Sequence, residues 1–218
     1  MPLHVLNNTV WFPPVEDALE DGLLAIGGDV SAERLLLAYQ KGIFPWYSDD
    51  TPLWWSPDPR FVLFPHKLRV SKSMQALIRK KTFRFSVNEA FPQVIKNCKE
   101  LQRPGQEGTW ITDELEASVK QLHLMGYAHS AEAWLGDELV GGLYGIKMGR
   151  LFFGESMFSK ASNASKFAFL LFVQQLREEN VHLIDCQVYT DHLASLGAEM
   201  IPRTTFLQAL QDHGAELR

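Results

Sequence analysis

The sequence predicts an α/β protein of the α+β kind, with a small N-terminal domain and a larger C-terminal domain built on a mixed sheet. Three observations carry that expectation. Residues 127–158 read as three strands with turns near Gly136-Asp137 and Met148-Gly149, an antiparallel meander. An apolar-rich helical stretch, residues 164–178, then leads into an apolar strand, residues 181–188, and a helix linking two strands favours a mixed sheet. Upstream, residues 43–60 crowd three Trp and four Pro into a short span, which marks an ordered, aromatic-rich loop and a boundary between residues 1–61 and 62–218.

Taken in order, residues 17–42 read as a turn followed by a helix from about Ala32 to Lys41. Ser31 is its N-cap and Gly42 its stop. Ser71 caps a second helix running to about Lys81, with Met74, Leu77 and Ile78 on one face and Lys72, Arg79 and Lys80 on the other. Phe83 to Val87 alternates as a strand. Asp113 to Met125 reads as a helix ended by Gly126. After the meander and the polar loop Ser159-Lys160-Ala161-Ser162-Asn163 come the long helix and the strand at 181–188. Two short helices follow, Asp191 to Leu196 and Thr205 to Asp212.

Composition bounds the function classes. Of 218 residues, 46% are hydrophobic and 22% charged, which is ordinary for a soluble globular chain able to bury a sizeable core. No apolar run approaches the ~20 residues that span a bilayer. The start Met1-Pro2-Leu3-His4 has no basic region followed by an apolar one, so no secretory signal is read, and two cysteines make no disulfide framework. A cytoplasmic location is expected.

The net charge of −5 argues against a polyanionic partner, but its distribution argues for one. Residues 1–59 hold nine acids and two bases, whereas residues 60–88 hold eight bases and no acid. A local field of one sign is what attracts nucleic acid. A solvated surface helix is the ordinary reading of Lys72, Arg79 and Lys80; the missing acids favour a docking surface.

Chemistry concentrates in two apolar strands with polar insertions. Leu183-Ile184-Asp185-Cys186-Gln187 places Asp185 and Gln187 on one face by alternation and Cys186 on the other, toward the core. A buried carboxylate or amide is costly unless paired or used. Satisfying nearby backbone groups is the alternative role for this pair. Phe152-Phe153-Gly154-Glu155-Ser156-Met157-Phe158 adds an acid. If Phe152, Glu155 and Met157 share a cavity, strict alternation breaks, and Gly154 is the natural place for a bulge. Seven His show no metal-ligand spacing, and there is neither a Walker loop nor a Gly-x-Gly-x-x-Gly run, so no metal site is expected. Gly141-Gly142-Leu143-Tyr144-Gly145 lies within a strand, where glycines mark close backbone approach. A Cys186 nucleophile would call on His182 or His192.

The order meander, helix, strand over residues 127–188 resembles the Gcn5-related N-acyltransferase fold. The polar loop before the helix lacks the glycine-bearing pattern with which that fold holds coenzyme A.

Six segments carry a closer resemblance: Gly27-Gly28-Asp29; Ala38-Tyr39-Gln40-Lys41-Gly42-Ile43-Phe44-Pro45-Trp46; Trp54-Trp55-Ser56-Pro57-Asp58-Pro59-Arg60; Glu107-Gly108-Thr109-Trp110-Ile111-Thr112; Gly154-Glu155-Ser156-Met157-Phe158-Ser159; and Asp185-Cys186-Gln187-Val188. In these the chain, from about residue 11 to 210, resembles the bacterial leucyl/phenylalanyl-tRNA–protein transferases. The resemblance implies transfer of Leu, Phe or Met from aminoacyl-tRNA to the N-terminal Arg or Lys of a protein, marking it for N-end rule degradation, with no coenzyme A; no cofactor and a monomeric chain are expected. It implies that Asp185 and Gln187 act on the attacking amine, with Glu155 near them. It places Trp46 and Trp110 around the terminal adenosine with Tyr39 nearby, and Leu143, Phe152 and Met157 around the donor side chain. Lys72, Arg79 and Lys80 fall on the tRNA acceptor stem. The chain departs from relatives at Ala76, Val119 and Leu143, and ends soon after Gln211. A coenzyme-A-dependent N-acetyltransferase and a non-catalytic tRNA-binding module are the rival readings.

Overall fold

Two sheets organise the chain in the computed structural model, which describes residues 3–48, 51–101 and 111–214. The first holds β1 (His4–Leu6), β2 (Leu23–Gly27), β3 (Phe44–Pro45) and β4 (Leu53–Trp55) in the order β1-β2-β4-β3. The stretch expected to be a loop therefore contains β3 and β4. Proline does not prevent this, because Pro45 lies at an edge, where a missing N–H costs no ladder bond.

The second sheet holds β5 (Arg60–Leu63), β6 (Arg84–Val87), β7 (Ala128–Leu135), β8 (Glu138–Met148), β9 (Leu151–Ser159), β10 (Leu183–Gln187) and β11 (Glu199–Ile201), in the order β11-β5-β10-β9-β8-β7-β6. All neighbours pair antiparallel except β9 and β10, which are parallel. That pairing needs a crossover, and α5 (Ala164–Glu178) supplies it. The mixed α/β class and the meander agree with the sequence expectation. The strands β1, β2, β5 and β11 go beyond it. Each is short, and its pairing partner lies far along the chain or in an irregular stretch.

The other helices are α1 (Ala32–Gln40), α2 (Lys72–Arg79), α3 (Phe91–Glu100), α4 (Asp113–Leu124), α6 (Asp191–Ser195) and α7 (Arg203–His213). Ser31 and Ser71 cap α1 and α2 by accepting the Arg34 and Met74 N–H groups, each at 3.3 Å. Of the α-helices among the described residues, only α3 goes beyond the sequence expectation. Among the described residues no helix is long and apolar enough to cross a membrane.

The large sheet is buried on both faces. α3 and α4 cover Tyr144, Ile146 and Phe153, and this core runs on into Leu24 and Trp54 of the first sheet. α5 covers Leu143, Phe152 and Ile184 on the opposite face. It approaches β8 so closely that a Cβ on Gly141 would lie 2.6 Å from the Ala164 Cβ, which accounts for a glycine inside that strand. Each large apolar side chain that α5 buries contributes about 1.5–3 kcal/mol, enough to hold the crossover rigidly against the sheet.

Candidate active site

The parallel pair β9 and β10 is short. Rungs join Leu151 to Leu183, Phe152 to Ile184 and Phe153 to Asp185, and then pairing stops although both strands continue. At that point each strand gains one residue against its other neighbour. On β9, Tyr144 pairs with Ser156 and Gly145 with Gly154, so Glu155 is the extra residue. On β10, Val62 pairs with Asp185 and Phe61 with Gln187, so Cys186 is extra. Bulges bend a strand and re-aim its side chains. Here two of them open a gap in the middle of the sheet.

The bulge on β9 falls beside Gly154, in agreement with the sequence expectation. Phe152 and Met157 are five positions apart, and strict alternation would send them to opposite faces. The extra residue restores them to one face, where Met157 pairs directly with Leu143. All three line a cavity of about 410 Å³ at the gap, together with Phe169 from α5 and Ile184 from β10. This size suits one small ligand or one amino-acid side chain with its attachment. Phe44, Pro45 and Trp46 wall the cavity from the N-terminal side. Trp46 is 46% exposed and leans on Trp55 at 5.9 Å.

Glu155 and Gln187 lie on either side of the gap, and the Gln187 amide donates to Glu155 Oε1 at 2.8 Å. Burial pushes the Glu155 carboxyl up to about 7; the Asp185 charge adds to the rise, whereas the nearby Tyr39 hydroxyl and the hydrogen bond from Gln187 oppose it. With its NH₂ committed to Glu155, Gln187 has its amide oxygen left for a ligand.

Asp185 differs from expectation. Its carboxylate does not pair with the Gln187 side chain. It is wholly buried and gripped by Arg60, with Nε donating to Oδ1 at 2.8 Å and Nη2 to Oδ2 at 2.6 Å. Asp185 reaches Gln187 only through the main chain, because Oδ1 also accepts the Gln187 N–H at 2.9 Å. The simple alternation argument fails here because Gln187 takes a left-handed backbone, φ 65°, rarely used by a residue with a Cβ.

Tyr39 also departs from the expected position. It has no exposed surface, and its ring packs on Phe153 at 5.0 Å. It therefore stands behind Glu155 instead of at an adenosine surface. Its hydroxyl is near enough to act on the Glu155 carboxyl, although it makes no hydrogen bond of ordinary geometry. Val119 is likewise a core residue, packed among the side chains of α3 and α4. Trp110 lies outside the described residues.

Cys186 packs against the α5 core, and burial pushes its thiol well above the ordinary range. His182 packs against His213, ring centres 4.1 Å apart and tilted, in a recess that Cys186 does not line. His192 lines the same cavity as Cys186, with no hydrogen bond between them. Neither arrangement makes a thiolate nucleophile.

Lys72, Arg79 and Lys80 are exposed on or beside α2 and line none of the cavity. The eight bases of residues 60–88 divide by partner. Arg60, Lys67 and Arg84 pair with Asp185, Glu199 and Glu89. Arg69, Lys72, Arg79, Lys80 and Lys81 are all exposed, and no ion pair among the described residues involves them.

Sequence reasoning missed Arg60 as a site residue. The signal was available: a carboxylate in the apolar run 183–187 requires a cation, and Arg60 opens the equally apolar Phe61-Val62-Leu63. It also missed Phe169 and Ile184, whose turn toward the cavity depends on where the strands separate.

Comparison with known proteins adds an independent line. Residues 62–211 match the family model described as leucyl/phenylalanyl-tRNA protein transferase, and residues 28–58 match that of its N-terminal domain. The chain is 55% identical to a leucyl/phenylalanyl-tRNA--protein transferase of Syntrophus aciditrophicus, covering 94% of this chain and 87% of that one. It is 54% identical to another from Christiangramia forsetii, covering 95% and 100%. Among solved structures it is similar to L-PGS from Bacillus licheniformis at 14% identity and TM-score 0.41, over 79% of this chain and 57% of that one. It is also similar to a GCN5-related N-acetyltransferase-like protein from Streptococcus suis at 9% identity and TM-score 0.39, over 73% and 59%.

Proposed function

Because the chain belongs to the leucyl/phenylalanyl-tRNA–protein transferase family, we propose that it transfers Leu, Phe or Met from aminoacyl-tRNA to proteins beginning with Arg or Lys, marking them for N-end rule degradation. The observation that carries this reading is the apolar cavity at the split between β9 and β10, with Glu155 and Gln187 at its rim. In this reading residues 62–218 form the acyltransferase-like catalytic domain and residues 1–61 a small domain that walls its cavity.

The donor side chain enters among Leu143, Phe152, Met157, Phe169 and Ile184. Unbranched Met157 adapts to Leu, Phe and Met alike. A methylene more or less in such a pocket is worth only ~1–3 kcal/mol, so several large side chains are accepted. Trp46 stacks on the terminal adenosine, a contact the family resemblance also assigns to Trp110. The cations of α2 hold acceptor-stem phosphates.

The acceptor amine attacks the ester carbonyl, a C–N bond forms, and the C–O bond to the terminal ribose breaks. The ester is already activated, so no cofactor is required. About a tenth of an α-amine is neutral at pH 7. Positioning does most of the work, up to ~7–11 kcal/mol in favourable cases. The Gln187 oxygen accepts a hydrogen bond from the amine, and Glu155, titrating near neutrality, takes up the proton before it passes to the departing ribose oxygen. The acceptor's positive side chain calls for an acid beside the attacking amine; Asp185 is committed to Arg60, which leaves Glu155.

The test is transfer of labelled Leu from charged tRNA to a peptide beginning with Arg, with a Gly-initiated peptide as control. Labelled product with Arg alone supports the reading. Turnover of acetyl-coenzyme A without leucyl transfer would replace it, and tRNA binding without either would reduce the chain to a binding module.

A further inference from the structure

The geometry points to Arg60 as the positioning residue of this site, acting through Asp185 to hold Gln187 in place. The inference rests on the transferase reading above. Asp185 Oδ1 is shared between Arg60 Nε and the Gln187 main-chain N–H, and Oδ2 accepts Arg60 Nη2. The fork fixes the carboxylate in two directions, and the carboxylate fixes the left-handed turn at Gln187. That turn carries the Gln187 side chain across the gap to Glu155.

The guanidinium is itself held from three sides. Nη1 donates to the Gly42 carbonyl at 3.1 Å, and its carbon lies 4.6 Å from the Phe44 ring centre and 4.7 Å from that of Phe206. Gly42 ends α1 and opens the segment whose Phe44, Pro45 and Trp46 wall the cavity. One side chain thus sets the donor wall and the Gln187 amide relative to each other. A fully buried ion pair is a poor source of stability, because desolvation offsets its attraction. Its value here is geometric, and lysine, a point charge without a fork, does not reproduce it.

The experiment compares wild type with Arg60→Lys. Single-turnover leucyl transfer to an Arg-initiated peptide, the Kd for leucyl-tRNA, the melting temperature and hydrogen exchange of the Gln187 N–H are measured together. Transfer is expected to slow about a hundredfold, with the tRNA Kd changed by no more than about threefold and the Gln187 N–H exchanging faster. A folded Arg60→Lys chain with the wild-type rate overturns the proposal, as does a rate loss matched by an equal loss of tRNA affinity. If Arg60→Lys does not fold, the uncharged pair Arg60→Gln with Asp185→Asn is read in the same way. The wild-type chain tests the clamp without any variant: its Gln187 N–H must be protected like the core strands, and free exchange overturns the proposal. Wild-type transfer is the control that separates the two readings. If wild type transfers no Leu, the transferase reading fails; if it transfers and Arg60→Lys matches it, only the role of Arg60 fails.

Discussion

Glu155 accepts a 2.8 Å hydrogen bond from the Gln187 side chain across a break in the sheet, and each of the two residues stands at or beside a bulge. Ladder pairing between β9 and β10 ends at Phe153 and Asp185, so from there on side chains must join the strands. The same break admits the apolar cavity. The polar pair and the apolar cavity therefore meet at one structural event, the separation of two parallel strands.

The raised pKa of Glu155 has a thermodynamic consequence. Its carboxyl titrates near 7 in the fold against 4.5 for an ordinary glutamate. The folded state thus binds more protons between those values, and stability falls as pH rises through the window. The sign is that of a buried acid, opposite to that of a salt-bridged one. The loss attributable to Glu155 is about 3 kcal/mol across the window at most. Denaturant titrations at pH 4.5 and pH 8 should show Glu155→Gln with a smaller decline than wild type. Equal declines would place the titrating group elsewhere.

Glu155→Gln should also raise the Michaelis constant for Arg-initiated peptides and narrow the gap between Arg and uncharged N-termini, with tRNA binding intact. Unchanged discrimination accompanied only by altered stability would make Glu155 a structural residue.

The exposed cations of α2 should supply sequence-tolerant phosphate contacts. Arg79→Glu with Lys80→Glu is expected to weaken tRNA binding and flatten its log–log salt dependence by about one unit for each phosphate no longer neutralised. An aminoacyl-adenosine mimic should bind as before, because α2 lines none of the cavity. Equal weakening of mimic and tRNA would argue against α2 as the docking surface.

Gly145→Ala should damage the donor pocket from behind. A Cβ there would lie 2.2 Å from the Phe153 carbonyl oxygen and 2.4 Å from Phe152 Cζ, so backbone and ring must both move. Overpacking of this kind costs about 1–3 kcal/mol or more. Reduced stability is expected together with an altered ranking of Leu, Phe and Met as donors, measured by competition between charged tRNAs. A ranking unchanged in a folded variant would remove Phe152 from the pocket.

Cys186→Ala should retain most transfer activity. The thiol is packed against α5 and held protonated by burial. A folded but inactive variant would revive a covalent thiol mechanism.

Much of this protein was determined by the sequence alone. The meander turns, the limits of α5, the Ser31 and Ser71 caps and the basic face of α2 all follow from local rules: side-chain period, turn residues and capping hydroxyls. The bulge beside Gly154 was legible as well, because the polar and apolar residues of β9 cannot share a cavity without one. Tertiary structure decided what lay between distant segments. Arg60 and Asp185 are 125 residues apart, and no local pattern joins them; they meet because β5 and β10 become neighbours in the sheet. Gln187 turned away from its expected partner because a main-chain bond to Asp185 and the adjacent bulge override simple alternation. Tyr39, expected near the adenosine, is enclosed because its helix packs against Phe153 of the large sheet. Periodicity reports which residues want to be buried, whereas the pairing of remote strands decides which of them meet and where the sheet opens.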